Sequence, residues 1–187
     1  MIMDQWMKNQ MEAQVAEERT TSNIQCLDFS IFRELMDDQT KKIDLAMSIA
    51  EIQTAFDKGI FTSEELVIAY IQEIEKRQEY HAVLALNPDV LEEARMYDQA
   101  RINGVHLGDL HGIPILLKDN IGTKSPLQTT AGADVLKNAV REEDAILVQQ
   151  LKAEGAIVLG KTNLSEWANF MSQPSINGFS TLGGYTH

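Results

Sequence analysis

One stretch combines residue types in a way that chemistry could use: Gly112-Ile113-Pro114-Ile115-Leu116-Leu117-Lys118-Asp119-Asn120. The apolar run from Ile113 to Leu117 predicts a buried strand, and a lysine follows it directly. In a parallel sheet, ligands bind in the crevice beyond the carboxyl ends of the strands. A lysine placed there is held by a rigid element and partly desolvated. Desolvation disfavours the ammonium form and lowers the pKa. A neutral lysine is a competent general base, or an activator of a serine nucleophile. Asp119 and Asn120 stand where they can fix the following turn or orient the lysine. On these residues alone, a solvated edge lysine is the more usual reading.

A second stretch, Gly155-Ala156-Ile157-Val158-Leu159-Gly160-Lys161-Thr162, meets the written spacing of a phosphate-binding loop. The chemistry argues against it. The residues between the glycines are Ala-Ile-Val-Leu, which read as a strand and not as a loop whose amides cradle phosphate. A helix, not the required strand, precedes Gly155. The four histidines, His81, His106, His111 and His187, have no metal-ligand spacing and read as surface or turn residues. No metal and no cofactor is expected.

The elements that must position these residues follow from the rest of the chain. Its 187 residues are 44% apolar and 24% charged, which excludes global disorder and collagen-like or coiled-coil repeats. The net charge of −12 argues against nonspecific nucleic-acid binding and against docking on an anionic membrane. Cys26 is the lone cysteine, so an intramolecular disulfide is impossible. There is no continuous apolar run of about 18 residues and no secretory h-region, so the cytoplasm is the expected compartment.

Met3, Met7, Met11 and Val15, with Trp6 beside them, form a helical stripe, and a linker follows; residues 1–28 read as an arm. From residue 29 the body begins. Ser30 is expected to cap a helix carrying Phe32, Leu35 and Met36. A second helical period runs from Ile43 to Phe56. Thr62 and Glu65 form a capping box for a helix to about Arg77. Val83 to Leu86 reads as a buried strand. Asn87-Pro88 is expected to start a helix that Gly104 closes. Asp144 is expected to cap a helix ending at Gly155, followed by a strand from Ala156 to Leu159. Asn163 and Glu166 are expected to open a further short helix. Helices first, then strands alternating with helices, predict an α/β body with a helical N-terminal layer. From Met171 to His187 the chain is loop-like, and a domain ending inside a Gly/Ser-rich loop reads as cut short.

Several motifs, in order, carry a family resemblance. Leu110-His111-Gly112-Ile113-Pro114-Ile115-Leu116-Leu117-Lys118-Asp119-Asn120-Ile121 resembles the lysine motif of the amidase signature family. Thr129-Thr130-Ala131-Gly132, Asp144-Ala145, Leu151-Lys152-Ala153-Glu154-Gly155-Ala156 and Gly160-Lys161-Thr162-Asn163 follow in that family's order, over roughly residues 45 to 187. Leu164 to Phe170 and Gly183 to His187 most resemble its peptide-amidase-like members; an amidotransferase A-type subunit is the alternative within the family. The resemblance implies part of an α/β/α sandwich around a mixed sheet. It implies amide hydrolysis by a metal-free Ser–cis-Ser–Lys triad, with Lys118 as the triad lysine. It places Asn169 and Phe170 on the substrate pocket, and Thr130 and Gly132 in the neighbouring loop. Ser165, Ser172, Ser175 and Ser180 match neither catalytic serine, so residues 29–187 read as the N-terminal part of such a domain. The expected partner is a small-molecule or peptide amide, with no nucleic acid and no membrane. A binding or regulatory role for a short chain, through self-association or pairing with the rest of an amidase domain, is the reading from another functional class.

Overall fold

The computed structural model describes residues 27–33, 42–124, 126–170 and 177–187. The Met3–Val15 stripe, Cys26, Leu35, Met36, Ser172 and Ser175 lie outside these residues. Helix α1 (Ile49–Asp57) begins later than its apolar period suggests, because Ser48 is the cap. The Ser48 hydroxyl accepts from the Glu51 amide, and the Glu51 carboxylate accepts from the Ser48 amide at 2.8 Å. Helix α2 (Ser63–Lys76) opens on the expected box of Thr62 and Glu65. Each box satisfies two orphan amides reciprocally.

Three other expected caps have different work. Ser30 does not open a described helix; its amide donates to Asp28 Oδ1 at 2.8 Å in a short turn. Strand β1 (Val83–Leu86) is followed by α3 (Val90–Ile102), whose N-cap is Asp89 rather than Asn87. The buried Asn87 side chain accepts from the Asp89 amide and donates to Val158 O at 2.9 Å, pinning the end of β1 to its neighbouring strand. After strand β2 (Pro114–Lys118), helix α4 (Ile146–Ala153) starts at an Ala145 cap with no side-chain bond. The Asp144 carboxylate instead accepts from the Lys124 amide at 2.7 Å and pairs with Lys152 Nζ at 2.8 Å.

Strand β3 (Ile157–Thr162) is the centre of a three-stranded sheet ordered β1-β3-β2. β1 runs antiparallel to β3 and β2 runs parallel to it, so the sheet is mixed, as expected. The β2–β3 connection contains α4, the kind of crossover a parallel pair requires. Gly160 is what lets β1 approach: a Cβ there would meet Ala85 O at 2.2 Å. Two short strands, β4 (Phe179–Ser180) and β5 (Gly184–Tyr185), make a separate hairpin.

Burial follows the pleat. Ile157 and Leu159 pack with Val67 and Ile71 of α2, with Val90, Leu91 and Ala94 of α3, and with Phe29 and Phe32. Val158 packs with Leu117, Leu127 and Val148 on the other side. Layers of helix against a sheet are thus the architecture that the alternating pattern predicts. One histidine meets only half of its expectation, lying in a turn but not at the surface. His111 is not a surface residue but fully buried, with Nε2 bonded to Tyr97 O at 3.0 Å and Nδ1 accepting from the Leu107 amide at 3.2 Å. Among the described residues, no helix is long and apolar enough to cross a membrane.

Candidate active site

Lys118 is the last residue of β2, at the carboxyl end of the parallel pair β2–β3. Its side chain is exposed, not shielded as the sequence reading expects. The pleat gives the reason. Side chains alternate along a strand, so Lys118 shares a face with Leu116 and not with the buried Leu117. Leu116 is itself 38% exposed, so little among the described residues covers that face.

Asp119 turns the other way and is 1% exposed. Its Oδ2 accepts from the Thr130 amide at 3.1 Å, from the Thr130 hydroxyl and from the Gly132 amide at 3.4 Å. Its backbone accepts from the Ala131 amide at 3.0 Å and donates to Thr162 O at 3.2 Å. Asp119 therefore fixes the turn, as one of its expected roles allows, and joins it to the Thr129–Gly132 loop. Gly132 has φ +74, and a Cβ there would meet Ser180 at 2.4 Å, so the loop's close approach to β4 requires glycine. Asn120, by contrast, is exposed.

Beneath this turn lies a residue whose role sequence reasoning missed. Lys161 is fully buried on β3; its Nζ donates to Ile121 O at 2.7 Å and to Thr129 Oγ1 at 3.1 Å, and lies 3.5 Å from Asp119 Oδ1. Burial pushes its pKa below the usual lysine value, opposed by the charge and hydrogen bonding of Asp119. A signal was present: a lysine inside a near-continuous apolar strand must find a carboxylate, because an unpaired buried charge is too costly. Lys161 sits within a strand, which agrees with rejecting the phosphate-loop reading.

Asn169 and Phe170 belong to a turn rather than to the expected helix. Residues Glu166–Asn169 form a 3-10 turn in which Trp167, Ala168 and Asn169 all have left-handed φ, between +52° and +63°. A short 3-10 segment does begin at Glu166, but its cap is Ser165 and neither Asn163 nor Glu166 caps it, because their side chains are engaged elsewhere. Glu166 accepts from the Thr181 amide at 2.7 Å and from the Thr181 hydroxyl. Asn163 bonds His81 O, Gly184 O, Thr186 Oγ1 and the Ser180 hydroxyl. The Trp167 amide donates to Ala131 O at 2.9 Å, which docks this turn on the loop that Asp119 holds. Lys118, Thr130, Gly132 and the 167–170 turn are thus linked through Asp119 and Ala131. Asn169 is half-buried and donates to Asn177 Oδ1 at 2.6 Å, while Phe170 is 89% exposed. Ser165 and Ser180 serve as local hydrogen-bond partners: Ser165 Oγ accepts from the Gly178 amide and Ser180 Oγ from the Gly183 amide.

Comparison with known proteins finds the same lysine-bearing region elsewhere. The family model described as Amidase matches residues 65–181. A Schizosaccharomyces pombe protein named as an amidase is 40% identical over 138 residues, covering 73% of this chain and 24% of that protein. An Arabidopsis thaliana protein of similar name is 43% identical over 139 residues, covering 73% and 27%. The crystal structure of the peptide amidase from Stenotrophomonas maltophilia superposes with a TM-score of 0.72 at 46% identity, over 76% of this chain and 30% of that one. The chain spans about a quarter of the length of the curated relatives it matches. With more than half of its residues inside one family model and its fold similar to that of a peptide amidase of known structure, the chain belongs to the amidase family.

Proposed function

We propose that this chain carries the lysine of an amide hydrolase that cleaves a carboxamide C–N bond and releases ammonia or an amine. The observation behind this reading is the placement of Lys118, at the carboxyl end of a parallel strand and inside the matched region. In the reading, the neutral amine of Lys118 takes a proton, through a bridging cis-serine, from a nucleophilic serine. The serine oxygen bonds to the carbonyl carbon, the C–N bond breaks, and the nitrogen leaves with the relayed proton. Water then hydrolyses the acyl-enzyme. Backbone amides would stabilise the oxyanion. Asn169 and Phe170 line the substrate pocket, and likeness to a peptide amidase favours a C-terminal peptide amide or a small amide as substrate. The cell compartment proposed is the cytoplasm.

In this reading Ser165, Ser172, Ser175 and Ser180 stand for neither catalytic serine, so the 187-residue polypeptide assayed alone is expected to turn over no amide. The native protein purified from its source is expected to release ammonia or amine from peptide amides. Lys118→Ala in that protein should lower kcat by at least about a hundredfold, the usual scale for a lost general base. Ammonia release by the 187-residue polypeptide, or full activity after Lys118→Ala, refutes the assignment.

A further inference from the structure

Two lysines reach the same end of the sheet from neighbouring strands, and the fold treats them in opposite ways. Leu117 is in register with Lys161, and Lys118 with Thr162. Lys118 therefore projects from one face, while Lys161, beyond the irregularity that adds one residue to β3 opposite Ile115–Leu116, is buried on the face of its partner Leu117. Between them stands Asp119, the residue directly after Lys118. Its carboxylate faces Lys161 Nζ at 3.5 Å through one oxygen and gathers Thr130 and Gly132 through the other.

We propose that Lys161 and Asp119 are positioning residues for Lys118: a buried ion pair that clamps its turn to the 129–132 loop and cancels the carboxylate's charge. The proposal rests on the amide-hydrolase reading above and deepens it. A base lysine must lose its proton, and an unbalanced carboxylate on the next residue would hold that proton on. Lys161 answers the charge from behind the sheet while leaving Lys118 free on the other face. Its Nζ also holds Ile121 O and Thr129 Oγ1, so one ammonium ties both ends of the segment that follows Lys118. The other carboxylate acting on Lys161 is that of Asp144, which is already paired with Lys152.

The test uses the 187-residue chain with isotope-labelled lysine, and follows the Lys118 side-chain resonance against pH. In Lys161→Met the Lys118 midpoint should rise by about half a pH unit, and in Lys161→Met/Asp119→Asn it should return. Asp119→Asn alone, which leaves a buried cation, should move it the other way. An identical midpoint in all four proteins overturns the proposal, because a purely structural pair would loosen the loop without moving Lys118. Should the variants fail to fold, the unmodified chain still decides the clamp. Its Thr130 and Gly132 amides should exchange as slowly as those of β3, and rapid exchange overturns it. In the native enzyme, the acid limb of kcat/KM should shift upward in Lys161→Met and return in Lys161→Met/Asp119→Asn, with KM for the amide unchanged. An unmoved limb in an active variant counts against the proposal. Absence of amide hydrolysis in the native protein instead overturns the reading on which it rests, while the resonance and exchange results still judge the pair.

Discussion

Truncating Asn163 should detach the C-terminal hairpin from the sheet. The Asn163 amide group donates to His81 O at 3.1 Å, Gly184 O at 3.2 Å and Thr186 Oγ1 at 3.1 Å. Its carbonyl accepts from the Ser180 hydroxyl at 2.6 Å and from the Leu164 amide at 2.9 Å. One side chain thus joins β3, the start of β1 and the β4–β5 hairpin. An NH2 group has two protons for those three oxygens, and Thr186 is exposed enough for water to replace its bond. That leaves two donated bonds and the bond accepted from Ser180, the Leu164 bond being made to the adjacent residue; at about 1 kcal/mol net each, Asn163→Ala should cost about 2–3 kcal/mol. With a urea slope of about 2 kcal/mol/M for a chain of this size, the midpoint should fall by about 1 M. Urea unfolding followed by circular dichroism measures the loss. Amide exchange locates it: the Thr186 and His187 amides, bonded to Gly178 O and Tyr80 O, should lose protection before those of α2. A cost below about 0.5 kcal/mol, with those amides still protected, would refute this account of how the hairpin is held.

His111 gives the pH dependence a sign. Nδ1 accepts the Leu107 amide while Nε2 bonds Tyr97 O, so the ring is neutral with its proton on Nε2. Burial lowers its pKa, and the charges of Arg101 and His106 add to this against the opposing Tyr97 bond and Asp98. A folded-state pKa below the unfolded one means that this contribution is complete above about pH 6.5 and is lost as pH falls toward the folded value. His111→Gln should flatten thermal stability between about pH 7 and pH 5 relative to the unmodified chain; an unchanged slope would contradict the buried neutral ring. Ala168 tests the left-handed turn. At φ +52 an L-residue pays about 1–2 kcal/mol, so Ala168→Gly should be neutral or stabilising by up to about 1 kcal/mol after the entropy cost of glycine. A loss of about 1 kcal/mol in chemical denaturation would show ordinary helical backbone there.

What could be read from residues alone was local or periodic. The Thr62–Glu65 box needs partners only three residues apart, so its two side chains announce the start of α2. The strands at Val83 and Pro114 are short apolar runs between turn signals, which makes them legible although each is an edge of the sheet and only Leu84 and Leu117 within them are buried. The motif around Lys118 was legible as an ordered string of residues, and the family match overlies it. Polar side chains with two possible employers were not. Asn87, Asp144, Asn163 and Glu166 all have the chemistry of a cap. Asn87 is instead claimed by a strand 71 residues away, Asp144 by Lys124 and Lys152, Asn163 by His81 across 82 residues, and Glu166 by Thr181.

The same division separates the two lysines. A strand followed by lysine is written in the order of residues 113–118, so the place of Lys118 in the chain is a local fact. Its exposure, and the burial of Lys161 against Asp119, depend on which face of the sheet each side chain meets. That is settled by the register of β2 against β3 and by the pairing partners available there. Hydrogen bonds and ion pairs across long sequence separations are selected by packing, because a buried polar group takes the partner that the surrounding fold brings within reach.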